Sequence, residues 1–238
     1  MFVAGDDLQS TRRRILAGAG ELFAARGFRA TTMREIAERS GVNLASAHYH
    51  FGSKQALYLE VVRAEFGKLE ARLAARGANP GDALDALSRE ELEQMLQRRI
   101  EIMLETVLDV SGIHGSIVMR EMVDPSAALP MIVKQFIDPQ RREMDRIVAR
   151  LAPELTQAEI DYCTRSIVGQ TFFYRTHRPA LLQLMGRTRY PRGLTREAAK
   201  HITAFSRGGL DRLVARRRAG LVAPEPAKAP LRRAQRAV

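Results

Sequence analysis

Tryptophan is absent from the 238 residues, cysteine occurs once, and no apolar run approaches the roughly 20 residues of a bilayer-spanning helix. The lone cysteine, Cys163, excludes an internal disulfide framework and a cysteine-based zinc cluster, and it sits on an apolar stripe that favours a buried thiol over a nucleophile. Sustained apolar/polar alternation is also missing, so strands are not expected. There is no HExxH, GxSxG, phosphate loop or GxGxxG. Gly18-Ala19-Gly20 falls within a helical pattern, where small residues mean close packing. An enzyme is therefore not expected, and neither is a metal or any other cofactor. MFVAGDDLQS at the start carries two aspartates and no long apolar segment, unlike a secretory signal, so the expected setting is the cytoplasm, with no membrane partner.

Charge is abundant and of one sign. Lys and Arg number 38 against 27 Asp and Glu, a formal +11. Residues 1–55 carry 8 basic and 5 acidic side chains, and residues 216–238 carry 7 and 1, so most of the excess lies at the two ends. Such ends attract polyanions through counterion release; an ordinary solvated surface is the alternative.

Helical periodicity fills most of the chain. Ile15, Leu16, Ala19, Leu22 and Phe23 form one apolar stripe that Arg26-Gly27 closes, predicting a first helix over about 9–26. Thr32 and Glu35 have capping-box spacing at the start of a short second helix, stopped by Ser40-Gly41. Asn43 is a good N-cap for a third helix over about 44–51, and Ser53 caps a fourth from Lys54. Beyond Gly77-Ala78-Asn79-Pro80-Gly81, further helices are expected at about 88–110, 113–122, 126–150, 156–176 and 195–217. The division predicted is residues 1–55, residues 56–217, and a basic Pro/Ala/Arg-rich tail over 218–238 expected to be disordered. The fold class is all-α.

The third helix, LASAHYHF, divides by face. Ala47 and Phe51 are four apart and point inward with Val42, whereas Leu44, Ala45, His48 and Tyr49 lie opposite. Eight residues do not hold a helix in water, so packing through the inward edge must do so. A short helix presenting small and hydrogen-bonding side chains after a helix and a glycine turn suits the DNA major groove. His48 and His50, two apart, point to different sides and cannot share a metal as an i, i+4 pair could. Local packing or capping is the alternative for Tyr49 and His50.

From about Arg12 to Leu57, ILAGAGELFAARGFRATTMREIAERSGVNLASAHYHFGSKQAL resembles the N-terminal DNA-binding domain of the TetR family of bacterial transcriptional regulators. Ala47 departs from it, since a larger aliphatic residue is more usual there. The resemblance implies base-edge contacts for Leu44, Ala45 and His48, with Arg34 a further reader or else a plain surface charge. It implies phosphate contacts for Thr32, Ser46, Tyr49, His50 and Lys54. A homodimer on a palindromic double-stranded operator, acting most readily as a repressor, follows from the same resemblance.

VMREMVDPSAALPMIVKQFIDPQ and SIVGQTFFYRTHRPALLQLMG resemble the C-terminal domain of the branch typified by CecR, which implies dimerisation and binding of a small-molecule effector. An apolar or amphipathic effector is expected among the middle helices, against Met103, Ile117, Phe172 and Phe173, with His114, Arg120, Glu121, Arg175 and His177 as orienting polar groups. Core filling is the alternative for the apolar members, and a structural ion pair for Arg120-Glu121. Ile160, Ile167 and Tyr174 form one seam and Ile202 and Phe205 belong to a second; they are candidates for a four-helix dimer interface, or else for intrachain core. The competing functions are an all-α interaction protein whose basic tail binds RNA or an anionic membrane, and a DNA binder that responds to no ligand.

Overall fold

The computed structural model describes residues 4–79, 81–109 and 112–221, and these contain helices and no strand. The helices are α1 (Ala4–Arg26), α2 (Met33–Arg39), α3 (Leu44–Phe51), α4 (Lys54–Ala75), α5 (Arg89–Leu108), α6 (Ile113–Val123), α7 (Leu129–Ile132), α8 (Asp138–Leu151), α9 (Gln157–Thr176), α10 (Arg178–Leu184) and α11 (Leu194–Arg218), with a 3-10 turn at Asp82–Ala86. Most of the expected tail, residues 222–238, lies outside the described residues.

Local chemistry sets the starts. Capping boxes close at Thr32/Glu35, Ser88/Glu91 and Thr156/Glu159, so each N-cap hydroxyl and the carboxylate three residues on satisfy each other's amides. One boundary was hidden. Pro139 stands near the start of α8, where an uninterrupted helix from Leu129 would clash at its ring, and the backbone loosens into a π-helical turn over Val133–Ile137 instead. Another helix, α10, was not expected at all: Pro179 reads as a break, yet it lies in the first turn, where a missing N–H costs nothing.

Two apolar clusters organise the chain. The first joins Ile15, Phe23, Ile36, Ala47 and Phe51 of the N-terminal helices to Tyr58, Val61 and Phe66 of α4, and then to Ile117 of α6 and Ile132 of α7. The second packs Leu96 and Ile100 of α5 against Met144 and Ile147 of α8, Ile167 of α9 and Ile202 of α11. The N-terminal head is thus built onto α4 and α6 rather than set apart from the larger half. At Gly20 a Cβ would come within 2.9 Å of Ile113 Cδ1, so α6 starts in direct contact with α1.

Three dimer candidates are corrected by this packing. Ile160, Ile167 and Ile202 are buried in the second cluster within a single chain, so they serve the intrachain core. Their period placed them on one face; it did not say which face turns inward. Tyr174 is half-buried and receives the Tyr190 hydroxyl on its carbonyl at 2.6 Å. Phe205 is 67% exposed.

Candidate DNA-binding site

The reading helix α3 is held from below and at both ends. Ala47 is fully buried and Phe51 nearly so, inside the first cluster. Asn43 Oδ1 accepts from the Ser46 amide at 2.7 Å, capping the start. Gly52, at φ 71°, ends α3 in a left-handed turn that a side chain would strain. Gly41, at φ 64°, makes the corner between α2 and α3 in the same way. Arg12 lies over the Phe51 ring at 5.0 Å and pairs with Glu60, stitching α1 to α3 and α4.

The outer face is open, as the sequence implies. Leu44, Ala45, His48 and Tyr49 are exposed, Tyr49 at 78%. His48 Nδ1 is 2.9 Å from the Gly52 carbonyl, and because a carbonyl only accepts, Nδ1 carries the proton. In the neutral ring Nε2 is then a lone-pair acceptor aimed away from the helix, suited to an adenine N6 or cytosine N4 amino group. Tyr49 stacks edge-on to His50 at 5.4 Å, so the two rings brace each other. Ser46 is half-buried, and Arg34 is exposed with no ion pair to any described residue.

Two of the predicted phosphate contacts are already engaged. Lys54 Nζ donates to the Phe28 and Thr31 carbonyls at 3.0 and 2.9 Å and stands over the Phe28 ring at 4.4 Å. The ammonium ties α4 to the α1–α2 turn, leaving one N–H for a phosphate. Thr32 donates its hydroxyl proton to Glu35 Oε2 at 2.9 Å, so a phosphate there would compete with the capping box. These hydrogen bonds, with the nearby Arg26 guanidinium, lower the Glu35 pKa.

The residues expected to orient an effector are divided by the structure. Arg120 and Glu121 do not pair with each other. Arg120 donates from Nε to the Ala24 carbonyl at 2.9 Å and also to the Ala25 carbonyl, covering the open end of α1. Glu121, 2% exposed, accepts from the Tyr58 hydroxyl at 2.6 Å and from the Ser126 amide at 3.0 Å. Burial and this carboxylate push the Tyr58 pKa well up. Arg29 adds an ion pair with Asp124 at 3.1 Å and a bond to the Pro125 carbonyl. These contacts fasten α6 to the head. Ile117 is buried core.

Phe173, Arg175 and His177 lie at the other end of the predicted set, on the last turn of α9 and just past it. Phe173 is exposed and stacks on His177 at 4.4 Å, Arg175 is half-buried with its pKa lowered by burial, and Phe172 is half-buried. Met103 packs on the second cluster. Of the nine residues, only His114 lines a described cleft, at the α4–α5–α6 junction. The sequence marked Arg120 and Glu121 correctly as unusual polar groups in an apolar helix, but it held no signal for their partners, which lie 95 and 63 residues away. Arg29 and Tyr58 went unnoticed for the same reason.

Two short helices joined at a glycine corner, the second presenting an unpartnered face and the pair braced by a long third helix, define a helix-turn-helix DNA-binding protein. The family models agree: residues 15–61 match bacterial regulatory proteins of the tetR family, and residues 88–210, more than half of the chain, match the C-terminal domain of the HTH-type transcriptional dual regulator CecR. The chain belongs to the TetR family, with a CecR-type C-terminal domain, and is a DNA-binding transcriptional regulator. It is 26% identical to the dual regulator CecR of Shigella flexneri over 186 residues, covering 76% of this chain and 83% of that one. It is 33% identical over 105 residues to the transcriptional repressor KstR2 of Mycobacterium tuberculosis, covering 43% and 52%. Among solved structures, a transcriptional regulator from Rhodococcus sp. Rha1 shares the fold at TM-score 0.57 and 17% identity, covering 90% of this chain and 99% of that one. No single helix among the described residues is long and apolar enough to cross a membrane.

Proposed function

We propose that the chain is a ligand-responsive repressor that binds a palindromic operator as a homodimer, each α3 entering one major groove. The carrying observation is the exposed face of α3, with Tyr49 at 78% exposure and the His48 Nε2 lone pair turned outward. Leu44, Ala45 and His48 read base edges. Arg34 joins them, while Ser46, Tyr49 and His50 position the backbone.

Dimerisation uses outward residues in place of the buried seam. Tyr162, Gly169 and Phe173 share one exposed face of α9, and His201, Phe205 and Gly208 share one of α11. A Cβ at Gly169 or Gly208 would meet no atom within 4 Å, so a second backbone can approach closely there. The two helices from each protomer make a four-helix contact about a dyad.

The effector acts through α6. That helix touches α1 at Gly20 and grips its end through Arg120, while Lys54 of α4 holds the turn between α1 and α2. Any ligand that prefers one spacing of α4 and α6 therefore favours one separation of the two heads. Selection of bound fragments from a random DNA pool tests the reading: enrichment of an inverted repeat supports it, and uniform recovery of all sequences overturns it.

A further inference from the structure

The described cleft of ≈ 350 Å³ at the α4–α5–α6 junction is lined by Glu65, Lys68 and Arg72 of α4, Thr106 of α5, and Ile113 and His114 of α6, among others. Its rim carries charge of both signs, already paired in part. Lys68 bonds Glu65 at 2.5 Å, and Arg72 bonds Glu105 at 2.8 Å and the Thr106 hydroxyl at 3.1 Å. Lys68 and Arg72 are balanced in formal charge by Glu65 and Asp109 among the lining residues, so a charged guest gains no net attraction there.

His114 is the exception to this pairing. Its ring packs on Phe66 at 4.6 Å, Phe66 stacks on Phe136 at 5.2 Å, and the buried Nδ1 has no hydrogen-bond partner. Leaving a buried ring nitrogen unpaired costs about 1–3 kcal/mol, which a guest could recover by bonding to it. Burial also lowers the His114 pKa, so the ring is neutral near pH 7. A hydroxyl serves either tautomer of a neutral ring, because it both donates and accepts. Leu69 and Ile113 add apolar wall.

We infer that this cleft is an effector site for a small, uncharged, hydroxyl-bearing molecule with a flat apolar body, its hydroxyl bonded to His114 Nδ1. This rests on the ligand-responsive reading above and gives that ligand a place and a chemical class. The location also supplies the coupling. Ile113, on the cleft wall, is the residue whose Cδ1 lies against α1 at Gly20, so a guest that displaces the start of α6 acts directly on the head.

The test is calorimetric titration of the full chain, without DNA, with 1-naphthol, naphthalene and 1-naphthoate. Binding of 1-naphthol about five- to tenfold tighter than naphthalene, the worth of one hydrogen bond, is the expected result. His114→Phe keeps a ring against Phe66 and should abolish that preference while naphthalene still binds; Thr106→Val, as a second variant, should keep it. Equal affinity for naphthol and naphthalene, strongest binding of the carboxylate, or a preference that survives His114→Phe would each overturn the site. Because no DNA is present, such a result leaves the operator reading standing; failure of DNA selection would leave the titration standing in turn.

Discussion

Tyr58→Phe isolates the link between α4 and α6. The ring keeps its edge contact with Phe23 at 4.8 Å and its place in the first cluster, so the only atom lost is the hydroxyl oxygen. Glu121 then retains the Ser126 amide but loses its 2.6 Å donor while staying 2% exposed. Hydrogen bonds to charged groups contribute about 1.5–3 kcal/mol, and stripping a donor from a buried carboxylate falls within that range. At about 2–4 °C per kcal/mol for a chain of this size, a loss of about 2 kcal/mol lowers Tm by about 4–8 °C. Thermal unfolding followed by circular dichroism measures this. The double variant Tyr58→Phe/Glu121→Gln removes the uncompensated charge yet keeps an acceptor for Ser126, so it should lie closer to wild type than the two separate losses predict. A change in Tm of under about 1 °C for Tyr58→Phe would show that water replaces the hydroxyl and that the link carries no energy.

Three other predictions follow from individual contacts. The depressed pKa of His114 means that the unfolded chain binds its proton first, so stability is present above about pH 6.5 and falls as pH drops from there through the lower folded value; denaturant melts between pH 7.5 and 5 should show this, and His114→Phe should flatten the slope. Phe205→Glu places a charge on the exposed α11 face and should yield monomers by sedimentation without lowering helix content, whereas Ile202→Glu, within the core, should unfold the chain. Lys54→Ala should lower both Tm and DNA affinity by freeing the α1–α2 turn, with the salt dependence of binding little changed; a slope reduced by about 0.9 would instead assign the ammonium to a phosphate.

The legible part of this protein was local. Thr32/Glu35, Asn43 and Ser53 announced helix starts because caps are made between residues three apart, and the division of α3 into Ala47/Phe51 and Leu44/His48/Tyr49 followed from its period. What stayed hidden depends on distance along the chain. Ile160, Ile167 and Ile202 read as a seam because periodicity defines a stripe without saying whether α5 or a second protomer covers it. Lys54 read as free because its two acceptors come from a turn more than 20 residues earlier. Arg120 and Glu121, adjacent in sequence, diverge to α1 and α4 since neighbouring residues on a helix point about 100° apart. The π-helical turn before Pro139 has a local cause, the ring itself, but a proline signals a helix end as readily as a distortion within one.

The most direct measurement is a footprint of the full chain on a DNA fragment selected from its own genome, repeated with Tyr49→Ala and His48→Ala. The expected pattern is two protected half-sites about one helical turn apart, abolished or shifted in sequence preference by either substitution while thermal stability stays within about 1 °C of wild type, since both side chains are exposed. Protection of a single unrepeated site, or a footprint that neither α3 substitution alters, would contradict the assignment of α3 as the reading helix.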